Sequence, residues 1–275
     1  MKYLEESNIT LDGVKYSTFK HREFESINEL YRYICDTPLN EPSRFANLSS
    51  TMPDRLFTGT NNYEEAIEKL MHGDDDIAKR LVEKANTECK IAPSQKSMTV
   101  YDVVGYQASV PRYLQGVPNS MINKRMVAQK QKVITITKSV GYIASYTTNE
   151  MIEESIKTLK LIKQIEQKGI RCNLYVCSYV RGDARDAYGF RVKVKNANER
   201  LNMSKLAFTM AHPSMLRRIA FRYREVMPEG TKYITYSMGT SINPKELFEG
   251  KKGEYFIPSM VGNLDEKQWL RMIGM

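Results

Sequence analysis

Apolar positions along this 275-residue chain follow two periods, and the switch between them marks the elements. Val133-Ile-Thr-Ile-Thr137 is a β-branched run that reads as a buried strand. A polar loop at 139–146 leads to Thr147-x-x-Glu150, a capping box that opens a helix. Ile152, Ile156, Leu159 and Ile162 repeat at helical spacing along one face of it, and Gly169 closes it. Residues 170–180 form a second apolar strand. Together they predict a βαβ unit with a right-handed crossover.

In Phe190-Arg-Val-Lys-Val-Lys195 the apolar residues face one side and Arg191, Lys193 and Lys195 the other, which predicts a half-exposed antiparallel strand near an edge. Helical pieces at 203–211 and 214–226 flank Pro213, strands follow at 232–237 and 254–257, and an amphipathic tail spans 265–273. Ahead of the βαβ unit, 23–34, 63–71 and 75–85 read as helices, whereas 98–126 is short-strand and turn material. The expected fold is α/β: an open, mainly parallel, Rossmann-like sheet flanked by helices, with core strands at 132–138, 170–180, 190–196 and 232–237. An acidic helical N-terminal region, 1–97, would precede a basic α/β domain, 98–275, with a loop-like junction at 92–97.

Charge sharpens this division. Residues 1–100 carry 13 Lys and Arg against 17 Asp and Glu, whereas 101–275 carry 28 against 15. A basic body of this kind fits nucleic acid, or an acidic partner. No stretch approaches the length of a membrane helix, and the N-terminus has no secretory pattern. Cys35, Cys89, Cys172 and Cys177 form no C-x-x-C pair, which fits reduced thiols in a cytosolic protein. His21, His72 and His212 are isolated, so no zinc site is expected. Asp74-Asp75-Asp76 sits before a helix, where acids are favourable without an ion.

Three places carry candidate chemistry. His212-Pro-Ser214 places a His near a Ser, but no nucleophile-elbow motif accompanies it, and Ser214 reads as a helix cap. Arg217, Arg218, Arg222 and Arg224 then face solvent or an acidic partner, and with Arg191, Lys193 and Lys195 they form the expected partner or nucleic-acid surface. Tyr101, Tyr106, Arg112, Tyr113, Lys124, Arg125, Lys130 and Lys132 interleave aromatic with basic groups, a mixture that stacks bases and neutralises phosphates.

The loop Thr137-Lys-Ser139-Val-Gly141 lies where ligands bind in α/β sheets, beyond a strand's carboxyl end. It resembles the von Willebrand factor A-like core, in which this strand ends in Asp-x-Ser-x-Ser and holds a divalent ion. Here Thr137 replaces the aspartate and Gly141 the second serine, and hydroxyls alone hold a hard cation poorly. The resemblance therefore implies a degenerate, metal-free loop. Val110-Pro-Arg-Tyr-Leu-Gln-Gly-Val-Pro, Gly59-Thr-x-x-x-Tyr-x-Glu-Ala-Ile67 and Ala211-His-Pro-Ser-Met-Leu-Arg-Arg further resemble a family of tailed-bacteriophage proteins without an assigned activity. That resemblance, over 55–228, implies a phage origin and an A-like fold. The expectation is a non-enzymatic phage protein in the host cytoplasm, without cofactor, acting as a protein-interaction scaffold through a metal-free A-like domain. The alternative is a nucleic-acid-binding phage protein with nuclease-like chemistry.

Overall fold

In the computed structural model, residues 1–39, 48–52, 55–85, 95–128, 132–182, 185–227, 240–248, 251–260, 268 and 271 are described. The chain opens with a hairpin of β1 (Lys2–Leu11) and β2 (Val14–Phe24). Its turn is Asp12-Gly13, both at positive φ (51° and 73°), the backbone that a two-residue hairpin turn demands. Next comes α1 (Ile27–Asp36), capped by the Ser26 hydroxyl and burying Ile27, Leu30 and Ile34. Short helical turns α2 (Leu48–Thr51) and α3 (Arg55–Thr58) precede α4 (Tyr63–His72) and α5 (Asp75–Ala85). An excursion of β3 (Gln95–Asp102), β4 (Gln107–Ala108), α6 (Val110–Leu114) and β5 (Met121–Ala128) follows.

The remaining elements begin with β6 (Val133–Ser139), α7 (Thr148–Gln167), β7 (Arg171–Arg181) and β8 (Asp186–Lys195). Then come α8 (Met203–Leu206), two π-helical segments (Ala207–Ala211 and Met215–Ala220), α9 (Phe221–Val226), β9 (Thr240–Ser241) and β10 (Glu254–Ile257).

The main sheet runs β1-β2-β8-β7-β6-β10, with β9 added to β7. The β6/β7, β6/β10 and β2/β8 pairs are parallel, and the β1/β2, β7/β8 and β7/β9 pairs are antiparallel. This corrects the expected fold class. The sheet is mixed, not an open, mainly parallel Rossmann-like or A-like sheet, and the chain starts with strands, not with a helical region. The βαβ unit itself is present as β6-α7-β7. β1 escapes a periodicity reading because only its Leu11 is buried, so the strand lacks an apolar face.

β8 is also not an edge strand. It lies between β7 and β2, where its cations meet acids of the β2 end. A cut at residue 97 would part β2 from its sheet partner β8. Residues 95–97 belong to β3, while the rest of the expected 92–97 junction lies outside the described residues. So do the strand expected at 232–237 and, apart from Gln268 and Arg271, the tail at 265–273.

One face of the main sheet packs on α1, α4, α5, α7 and the 203–226 helical run, around Phe24, Leu70, Leu81, Ile136, Leu159, Phe190 and Tyr223. The other face has a smaller cluster of Leu11, Tyr16, Phe19, Tyr179, Ile242 and Phe248. Among the described residues no helix is long and apolar enough to cross a membrane.

Candidate functional site

The loop after β6 turns out to be a packed joint. Lys138 points to the helical side, fully buried, and its ammonium donates to Glu154 of α7, to Ser139 O (2.9 Å) and to Pro258 O (2.9 Å). Glu154 also accepts from the Tyr146 hydroxyl (3.1 Å) and the Met260 N–H (3.2 Å). Burial pulls the Lys138 pKa below its ordinary value against the pull of Glu154. On the opposite side of the strand Thr137 and Ser139 are buried. Ser139 Oγ donates to Ser259 Oγ (3.4 Å), and Ser259 Oγ donates to Gly141 O (2.8 Å). A Cβ on Gly141 would lie 2.8 Å from Ser241 Oγ, so glycine is needed for this close approach. Among the described residues no three His, Cys, Asp or Glu side chains gather to hold a metal.

Two of the sequence-predicted sets meet across the sheet. Ser139, Cys177 and Arg191 share one register row, and Thr137, Tyr175 and Lys193 the next. Arg191 bonds Glu23 (3.0 Å) and Glu254 (3.4 Å) and lies over the rings of Tyr175 (4.8 Å) and Phe248 (5.5 Å). Lys193 pairs with Glu25. Lys195 leaves this face. A register shift at Leu174/Tyr175 turns it to the helical side, where it bonds Glu166 (2.7 Å) and Cys172 O (3.0 Å). His21, 2.8 Å from the Tyr179 hydroxyl through Nδ1, is buried here too; burial first, then Arg191, push its pKa down to about 3. Along the β10 edge an open cleft of about 870 Å³ is walled by the stacked rings of Phe248 and Phe256 (centroids 5.1 Å apart).

The arginines of the 214–226 helix, expected at the surface, lie mostly inside. Arg218 is fully buried and donates to Thr60 Oγ1 (2.8 Å), Ser49 O (2.8 Å), Met52 O (2.9 Å), Thr60 O (3.1 Å) and Thr58 Oγ1 (3.2 Å). Arg217 stacks on Phe57 (4.0 Å) and donates to Phe57 O, Ala144 O and Tyr146 O. Arg224 donates to Ser178 Oγ (2.9 Å), and burial lowers its pKa to about 10. Arg222 alone of the four is only partly buried, beside Glu225 (3.7 Å) and over Tyr63.

His212 and Ser214 join the same interior. Ser214 N–H donates to His212 Nδ1 (3.0 Å), while Ser214 Oγ donates to Thr58 O and not to the imidazole. His212 Nε2 is 3.7 Å from Asp74, which accepts from Lys69 and from the Ile77 N–H at the start of α5. These groups fasten α3, α4 and α5 to the 203–226 run.

The exposed chemistry is elsewhere. Of the sixteen large apolar side chains exposed among the described residues, eight fall within 98–114: Met98, Tyr101, Val103, Val104, Tyr106, Val110, Tyr113 and Leu114. Met98 and Tyr101 lie on β3 of the second sheet, ordered β3-β5-β4, Val103, Val104 and Tyr106 on its link to β4, and Val110, Tyr113 and Leu114 on α6; no residue between 97 and 125 is buried. Arg112 lies over Tyr101 (4.2 Å), Lys124 approaches Tyr106 (5.6 Å), and Arg125 pairs with Asp102 (2.9 Å). Sequence reasoning found Tyr101, Tyr106, Arg112, Tyr113, Lys124 and Arg125 of this surface and missed its aliphatic half; of the same set, Lys132 sits next to β6 and Lys130 lies outside the described residues. The clue was the pair Val103-Val104 and the pair Val110 and Leu114, placed among turn residues where no core period could absorb them.

A family model described as "Domain of unknown function (DUF7192)" matches residues 13–274. No curated protein and no solved structure matches the chain.

Proposed function

The chain belongs to this domain-of-unknown-function family, and we propose that it is a non-enzymatic scaffold that binds another protein through the β3-β5-β4 sheet. The observation that carries this reading is a small sheet whose strands, β3–β4 link and α6 expose eight large apolar side chains, with no buried residue between 97 and 125. A three-stranded sheet gains stability from an apolar face packed against something, and exposed apolar patches of this kind mark interaction sites. The buried ionisable groups support the non-enzymatic part, since Lys138, Glu154, Lys195, Arg217 and Arg218 each join elements of the body. A phage origin and action in the host cytoplasm belong to the same proposal and rest on the motif resemblance. Nucleic acid is the second reading, favoured by the Arg112–Tyr101 and Lys124–Tyr106 contacts.

The test is a photo-crosslinking amino acid at Tyr113 in the full chain, expressed in cells. Discrete protein adducts, absent when the same probe replaces exposed Val82 on α5, are expected. Adducts to nucleic acid alone would transfer the surface to the second reading.

A further inference from the structure

The sheet's own charge and the rest of the molecule narrow the partner. Residues 95–128 hold four basic side chains, Lys96, Arg112, Lys124 and Arg125, against one acid, Asp102. A surface complementary to it would be apolar at its centre and acidic at its rim. The chain carries such a surface on the opposite side of its charge division. Between α1 and α4 lies a groove of about 350 Å³ with Tyr31, Tyr63, Ile67 and Met71 in its lining and Glu64 and Glu68 exposed beside them. α4, which walls the groove, and α5 after it, together 63–85, hold seven acids against four Lys and Arg.

We propose that the partner of the β3-β5-β4 sheet is a second copy of this chain, docked head to tail with its aromatic and aliphatic side chains in the α1/α4 groove. This rests on the protein-binding reading above and specifies it. Arg112 and Lys124, which share the Tyr101 face of the sheet, face Glu64 and Glu68 across the contact, while Val104, Tyr113 and Leu114 fill the apolar centre. The two patches are different, so the contact is heterologous. Each copy keeps a free sheet at one end and a free groove at the other, and association continues until a ring closes or a filament grows.

Analytical ultracentrifugation of the full chain tests this at low salt and across a range of concentrations. The parent chain should sediment with a weight-average mass rising past twice the 31.7 kDa monomer, and less so at high salt. A sheet variant, Val104→Asp with Leu114→Glu, and a groove variant, Glu64→Lys with Glu68→Lys, should each associate at least about tenfold more weakly. All four positions are exposed, so the variants keep the folded body. Mixed in equal amounts, the two variants should form a dimer and nothing larger, because one intact sheet then meets one intact groove.

A groove variant that associates like the parent would overturn the head-to-tail arrangement. A parent chain that stays monomeric at every concentration would overturn self-association altogether. In that case protein adducts from the Tyr113 probe would keep the broader protein-binding reading, and their absence would remove it as well.

Discussion

Arg218 shows how a charged residue becomes part of a core. Its guanidinium is fully buried, and its five hydrogen bonds gather the 49–60 segment onto the 215–220 turn. A guanidinium carries five N–H donors in a rigid planar fork, two more than an ammonium, and so can hold this many acceptors at once. Arg218→Ala would strand the Ser49, Met52 and Thr60 carbonyls away from solvent, and is expected to cost about 3–5 kcal/mol of unfolding free energy. Arg218→Lys should recover less than half of that loss. Urea denaturation measures both, and a loss below about 1 kcal/mol for the alanine variant would contradict the assigned role. The two buried histidines add an acid sensitivity. Burial holds His21 near a pKa of about 3, with Arg191, Lys251 and Lys2 adding to the depression, and His212 near about 4 against the attraction of Asp74. Both lie below the ordinary imidazole value near 6.5, so the unfolded chain binds more protons between these limits. Stability from the neutral imidazoles is therefore complete above about pH 6.5 and falls as the pH drops toward each folded value, by about 2 kcal/mol per histidine at pH 5. Replacing His21 with Gln should flatten the fall between pH 6 and pH 5 by about 1.4 kcal/mol per pH unit; an unchanged slope would mean that His21 titrates normally.

At the level of elements, what the sequence reveals depends on whether a segment sorts its own polar and apolar residues. α7 was legible in full, because the Thr147–Glu150 capping box and the Ile152, Ile156, Leu159, Ile162 stripe are local, and both are present. β6 was legible as a β-branched run and β7 as an apolar one. β1 was not, since its pairing with β2 rests on backbone bonds and the Asp12-Gly13 turn, with little apolar signal on either face. Alternation identified β8 as a strand, yet it assigned Lys195 to the wrong side, because a bulge against β7 shifts the register after Tyr175. It also took Arg191 and Lys193 as surface charges, although Glu23 and Glu254 reach one and Glu25 the other from distant parts of the chain. Helical spacing placed Arg217 and Arg224 outward for a related reason. The helix is covered from more than one side, so its polar positions find carbonyls and hydroxyls in place of water. Long-range partners decide these cases, and no local pattern encodes them.

At the scale of the molecule, the charge asymmetry and the second sheet belong together. Residues 95–128 leave the body after α5 and return before β6, and the two ends of the excursion are neighbours, with Gln95 opposite Ala128 and Ser97 opposite Met126. Antiparallel partners have Cα atoms about 5 Å apart, so a chain cut back to Ser97 can be rejoined to Met126 by a two-residue Gly-Gly turn. No residue between 97 and 125 is buried, so the excision removes none of the apolar packing that holds the body together. The shortened chain is therefore expected to melt within about 2 °C of the parent, since a 1 kcal/mol change in a protein this size moves the midpoint by only about 2–4 °C. It should also remain monomeric at concentrations where the parent associates, because the sheet end of every contact has gone while the α1/α4 groove is intact. Calorimetry and sedimentation on the same preparation separate the two consequences. A fall of ten degrees or more would show the sheet to be a structural part of the body, whereas an unchanged melt with unchanged association would place the contact surface elsewhere on the molecule.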